Sequence, residues 1–203
     1  MLALIADSDP ISKLICEENH SEAIYSLMNI LKGPNIPNTK FSTRITFTAL
    51  TILRALIKSS STPKIILLQQ DNQEALDSII ALIDPDNAHN LTDKLEVCTY
   101  SFITQLVRDE ADYKRIVGKK VIPVCQRRLL KAKDASQSSP EATIKFFKMI
   151  SVLVKKCKDN IYLVRGGMKE LMQTYMKRLS RSEERLAHKI HHILAVVETF
   201  EEY

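Results

Sequence analysis

A chain of 203 residues that is 45% hydrophobic and 26% charged has the length and composition of an ordinary globular protein with a sizeable core. Only 4 Gly and 7 Pro are present, which favours helix over strand. No apolar run reaches the roughly 18 residues of a membrane span. Met1–Ala6 is too short for a signal sequence and has no basic start, so a cytoplasmic or nuclear location is expected. The net charge of +5 hides a polarity: residues 1–112 carry 9 Lys+Arg against 15 Asp+Glu, and residues 113–203 carry 20 against 9. Such a field points to an acidic partner for the C-terminal half.

Met1–Ala6 reads as the tail of a helix, and Asp7-Ser8-Asp9-Pro10 as the start of another that runs to about Asn19. Ser21 caps a helix ending at Lys32. Gly33–Asn38, with two prolines, is a loop. Thr43–Ser59 is a helix with Ile45, Ala49, Ile52, Leu53 and Leu56 as its apolar face. Residues 63–70 and 73–83 form a short and a longer helix, closed by Asp84–Asn87. Leu91–Arg108 is a helix and Asp109–Asp112 a polar corner. Residues 113–118 and 121–132 form a further pair, and Asp134–Pro140 is a Ser-rich break. Residues 140–157 carry Ile144, Phe147, Ile150 and Val154 as one stripe. Asn160–Arg165, a Gly166-Gly167 turn and Met168–Leu179 make a fourth pair. Ser182 caps a last helix, with Glu183 and Glu184 favouring its positive end, that runs to about Phe200.

The segment Ser21–Leu31 repeats as Gln73–Ile83, ungapped, at an offset of 52 residues. A short helix, a turn, a long helix and a separating third helix recur along the chain, which is the signature of a stacked helical array. The four cysteines, Cys16, Cys98, Cys125 and Cys157, are isolated inside apolar stretches with no paired spacing. They read as reduced core thiols, with Cys98 and Cys125 buried and unreactive.

The stretches Ile116-Val117-Gly118-Lys119-Lys120-Val121-Ile122-Pro123-Val124-Cys125 and Tyr162-Leu163-Val164-Arg165-Gly166-Gly167-Met168-Lys169-Glu170-Leu171 align without a gap. They resemble the Ile-Val-x-x-Gly-Ala-Ile-Pro-x-Leu stretch of the armadillo repeat, where a short helix turns sharply into a long one. The resemblance implies an all-α, right-handed superhelical solenoid of about four three-helix units, near residues 1–33, 40–84, 90–133 and 140–180, with a final helix over 182–200. It also implies φ > 0 at Gly166. Units one and two match only in apolar spacing and have Glu18 and Gln70 near the place of the glycine.

In peptide-binding armadillo proteins the third helices line a concave groove with a Trp and, four residues on, an Asn. The corresponding positions here are Thr51, Ser101, Lys148 and His188 for the Trp, and Ala55, Gln105, Val152 and His192 for the Asn. The chain has no Trp, so the ladder that grips an extended basic peptide is not carried over. Lys145, Lys148, Lys155, His188, Lys189 and His192 lie instead on two successive third helices. Together with Gln105 and Val152 they form the candidate partner-binding groove, suited to an acidic or mixed protein segment. The bland reading of the same residues is a solvated face.

His188, His191 and His192, with Glu184 on the same face, form a weak metal motif that lacks a distant ligand, so no metal and no cofactor is expected. The chain shows no phosphate loop, nucleophile elbow or catalytic Cys–His signature, which argues against an enzyme. Nucleic acid is disfavoured by sparse aromatic residues near the basic ones. Glu201-Glu202-Tyr203 resembles the acidic-aromatic tails read by CAP-Gly domains. The expected function is a non-catalytic scaffold or adaptor with a basic C-terminal groove. Two alternatives stay open. One is a chaperone or assembly factor holding a motor or cytoskeletal client through an apolar patch, for instance Met168, Met172, Tyr175 and Met176. The other is a structural segment of a longer array. Oligomeric state is not legible.

Overall fold

The computed structural model describes residues 21–32, 40–86, 92–132 and 139–200. The expected helices before residue 20, the Gly33–Asn38 loop, Cys16 and the Glu201–Tyr203 tail lie outside them. Among the described residues the chain is all-helical, with no strand. The helices are α1 (Ser21–Leu31), α2 (Lys40–Ser59), α3 (Thr62–Leu68), α4 (Gln73–Ala81), α5 (Asp93–Leu106), α6 (Ala111–Lys131), α7 (Pro140–Val154), α8 (Lys158–Gly167), α9 (Lys169–Met176) and α10 (Glu184–Thr199). Short 3-10 turns cover Gln70–Asn72 and Arg181–Glu183. Among the described residues no helix is long and apolar enough to cross a membrane.

The chain divides into two compact units, residues 1–106 and 107–203. In the first, α2 is the hub and packs against α1, α3 and α5, while α4 packs against α1 and α3. The two copies of the 52-residue repeat, α1 and α4, lie side by side. Ile24, Met28 and Leu31 of one copy and Leu76, Ile80 and Ile83 of the other are all buried. Each such side chain contributes about 1.5–3 kcal/mol by leaving water. Leu50, Leu53 and Leu56 of α2 and Phe102, Ile103 and Leu106 of α5 complete this core. Ile45, expected on the apolar face of α2, is instead 39% exposed. Among the buried polar groups of this unit, the Tyr100 hydroxyl donates to Glu96 Oε1 at 3.0 Å. Asn72 donates to the Ile66 carbonyl at 3.0 Å and accepts from Lys32 Nζ at 3.3 Å.

In the second unit α6 packs against α7, α8 and α9, and α10 packs against α7, α8 and α9. Phe147, Ile150, Leu153, Met168, Met172, Ile190 and Ile193 fill its core. Three expectations are corrected. The pair expected at 113–118 and 121–132 is one continuous helix, α6, running through Pro123. Val117, Val121, Val124, Cys125 and Leu129 recur on a single buried stripe, and burying that stripe outweighs the backbone hydrogen bond that the proline removes. Gly166 and Gly167 do not turn the chain. Both end α8 and neither has positive φ; the break falls at Met168 instead, at φ −120°, ψ −16°. The last helix starts after Glu183 rather than at a Ser182 cap, and the 3-10 turn before it is capped by Ser180. Its backbone N–H and hydroxyl both donate to Glu183 Oε2, at 2.9 and 2.8 Å.

The C-terminus of α7 is held by side chains from two other helices. Asn160 Nδ2 donates to the Leu153 carbonyl at 2.9 Å and to the Lys114 carbonyl at 2.8 Å. Lys114 Nζ donates to the Lys155 carbonyl at 2.9 Å. Asn160 is fully buried, and its amide presses on Gly118 so closely that a Cβ there would overlap it. That contact is why a helix interior tolerates a glycine at 118. The chain leaves this end of α7 through Lys156 at φ 57°, the left-handed conformation.

Candidate functional site

The helices α7 and α10 place most of the expected groove residues in one unit. They pack directly on each other. Both begin at a single cleft of about 310 Å³, lined by Pro140 and Ile144 from α7 and by Arg181–Leu186 at the start of α10. Two helices that leave one cleft and stay packed run in the same sense. Their rungs can then be read in order. Ile144, Lys148 and Val152 ascend one helix, with Lys155 just past its end, and Glu184, His188 and His192 ascend the other. Successive rungs rise about 6 Å per four residues.

Along these rungs Lys148, Lys155, His188 and His192 are exposed, and Lys145, Val152 and Lys189 are half-buried. Their direction follows from what α7 and α10 bury. Ala142, Phe146, Phe147, Met149, Ile150, Leu153 and Val154 face inward on α7. Leu186, Ile190, Ile193, Leu194 and Val197 do so on α10. The remaining angular sector of each helix is left to the lysines and histidines. Among the described residues none of Lys145, Lys148, Lys155, His188 and His192 enters an ion pair. Gln105 is half-buried on α5 and belongs to the first unit.

The framework under this face is built from hydrogen bonds to helix ends. Asn160 and Lys114 hold the end of α7. Arg165 holds the end of α10, its Nη2 donating to the Val197 carbonyl at 2.6 Å and to the Phe200 carbonyl at 2.7 Å. Carbonyls at a helix C-terminus have no partner within the helix, so a guanidinium aimed at them fixes the helix end. Lys169 pairs with Glu198 at 3.2 Å on the same helix. Phe200 lies edge-on to Tyr162, with ring centroids 6.4 Å apart.

The displaced titratable groups lie in the core. Burial pushes the Cys125 thiol up to about 12, against the opposing field of Arg128. Burial also raises Cys98, which lies 3.7 Å from the Thr51 hydroxyl; that contact and Arg54 pull the other way. Cys98, Cys125 and Cys157 are free and buried. Glu184, His188 and His192 share a helical face but do not converge as a metal site, and among the described residues no group of three or more His, Cys, Asp or Glu does. Met168, Met172 and Tyr175 are buried and Met176 is half-buried, so the Met stripe of α9 faces inward.

The cleft at the start of α7 and α10 escapes the sequence pattern because Ile144 reads there as part of the core stripe. A denser stripe was legible. Phe146, Phe147, Ile150, Leu153 and Val154 share one sector of α7, which leaves Ile144 and Lys148 opposite it. Ile144 is 37% exposed. Asn160 and Lys114 carried no sequence signal, since their partners lie 46 and 41 residues away. No family model, curated protein or solved structure matches this chain.

Proposed function

We propose that the chain is a non-catalytic protein-interaction module built as an armadillo-like solenoid, with the α7/α10 face as a docking strip for an acidic protein segment. The packing within each unit supports the array. Successive long helices, α1 with α4 and α6 with α9, lie against each other, and so do the third helices, α2 with α5 and α7 with α10. The observation that carries the binding reading is the row of exposed cationic and imidazole groups on α7 and α10, set on helix ends fixed by Asn160, Lys114 and Arg165. A preformed strip leaves most of the ordering entropy to the partner.

The test uses a fluorescein-labelled glutamate-rich peptide and anisotropy. Binding should weaken as salt rises, because exposed charges are screened beyond roughly 8 Å at physiological ionic strength. Lys145→Glu with Lys148→Glu should weaken it far more than Lys58→Glu with Lys94→Glu. The latter pair lies on the first unit, is exposed, and makes the same change in total charge. Equal effects from the two pairs would reduce the site to a diffuse field.

A further inference from the structure

The groove is not uniform along its length, and the difference specifies what would occupy it. At its start the cleft is lined by Pro140, Ile144 and Leu186, with two arginines, Arg181 and Arg185, and two glutamates, Glu183 and Glu184. The charges there balance, and Glu183 is already engaged by Ser180. Between these balanced charges and Ser182, the cleft of about 310 Å³ is lined by the apolar side chains of Pro140, Ile144 and Leu186 and has room for one aliphatic side chain. Past the cleft the chemistry changes. The next rungs present Lys148 and His188, then Val152 and His192, then Lys155, with no carboxylate on these rungs. Ile144 to Lys155 spans about 16 Å at the helical rise. That length matches about five residues of an extended chain.

We infer that the α7/α10 groove takes an acidic peptide segment carrying one apolar anchor at the end that meets the cleft, with its carboxylates on the Lys148, His188, His192 and Lys155 rungs. The inference rests on the docking reading above and deepens it. The charge-balanced recess neither attracts nor repels an acid, so it gains from an apolar group. The basic rungs gain from carboxylates and not from an apolar group. A segment that is acidic throughout leaves the recess empty, and a segment that is apolar throughout leaves the cations unpaired. The anchor therefore sets register, and the acids supply attraction.

The experiment compares two labelled peptides by anisotropy, a glutamate-rich peptide with a single terminal leucine and its leucine-to-serine counterpart. On the unmodified protein the leucine peptide should bind about tenfold tighter, the ratio that partial burial of one leucine side chain supports. Ile144→Ser should erase this advantage and leave the affinity for the serine peptide unchanged. Ile144→Trp, which fills the recess rather than opening it, should do the same. Because Ile144 is on the surface, both variants should keep the parent melting temperature. Lys148→Glu should weaken both peptides in parallel. If the leucine peptide has no advantage, or keeps it in both Ile144 variants while Lys148→Glu still weakens binding, the anchor is overturned and the acidic groove stands. If neither peptide binds, the groove reading falls and the anchor falls with it.

Discussion

The two units use the same pairing of third helices to different ends. In the first, α2 and α5 pack on each other and bury Leu50, Leu53, Phe102 and Ile103. The four positions matching the binding ladder are Thr51, Ala55, Ser101 and Gln105, all half-buried and neutral. Thr51 is turned to its own backbone, donating to the Phe47 carbonyl at 2.8 Å. In the second, α7 and α10 pack in the same way, but the matching positions are Lys148, Val152, His188 and His192, of which all but Val152 are exposed. The helix pairing is a packing solution shared by both units. Only the outward residues differ, neutral and half-buried on α2 and α5 but mostly basic and exposed on α7 and α10, which is the difference on which a partner-binding role would rest.

The largest effect that could break this contrast lies beneath the second unit's face. Gly118→Ala should push a methyl group into the Asn160 amide. Either α6 moves away from α8, or Asn160 leaves the Leu153 and Lys114 carbonyls. Overpacking and unpaired buried groups together should cost about 3–5 kcal/mol in denaturant unfolding. Asn160→Ala should cost about 2–3 kcal/mol, less because the Asn160 Oδ1, which has no hydrogen-bond partner among the described residues, is removed with it. Asn72→Ala in the first unit removes one donated bond, where Asn160→Ala removes two, and one accepted bond that is only part-buried, and should cost about 1 kcal/mol. Equal losses from Asn72→Ala and Asn160→Ala would mean that the α7 end is not specially fixed.

How much of this was legible depends on the range of the interaction. The helices and most of the core followed from local periodicity, because a helix buries residues three and four apart. Leu50, Phe102, Phe147 and Ile190 fall where the pattern put them. The errors came where a motif was read as a conformation. The break expected between 113–118 and 121–132 and the turn expected at Gly166-Gly167 are both helical. The continuous stripe from Val117 to Leu129 decided the first, and nothing in Gly166-Gly167 forces φ > 0. The exposure of Lys148, His188 and His192 followed from their spacing opposite the buried stripes of α7 and α10. The cleft at the groove's start did not, since it needs the start of α10 brought to the start of α7 from about forty residues away.

A pH experiment sharpens the contrast with a middle-sized effect. Cys125 titrates near 9 when unfolded and at about 12 when folded. Below 9 both states hold the proton and nothing changes. Between 9 and 12 the unfolded chain has lost a proton that the folded chain keeps, so stability falls as pH rises. The slope from this group is about 1.4 kcal/mol per pH unit. Cys98 in the first unit contributes with the same sign, against the opposing pull of Thr51 and Arg54. Comparing unfolding free energies at pH 8 and 10 for the parent and Cys125→Ala should show a shallower fall in the variant. An unchanged slope would place the alkaline loss elsewhere. In the same folded protein Cys98, Cys125 and Cys157 should resist a water-soluble thiol reagent until denaturant is added.

The smallest effect concerns a residue whose motif suggested the reverse. If Gly166 sat in a left-handed turn, any side chain would strain it. It sits instead near the end of α8 with negative φ, exposed, and a Cβ built there meets nothing within 4 Å. The glycine therefore contributes only its backbone freedom, which helix formation must restrict. Gly166→Ala should raise stability by about 0.5–1 kcal/mol, read as a rise in the midpoint of urea unfolding at constant slope. The same methyl group thus has opposite signs at two glycines of one unit, large and unfavourable at 118, small and favourable at 166. A loss at 166 would show that the helical reading of Gly166 is wrong and restore the armadillo-type turn there. A gain would leave the second unit with its break at Met168, where the buried methionine rather than a glycine fixes the corner.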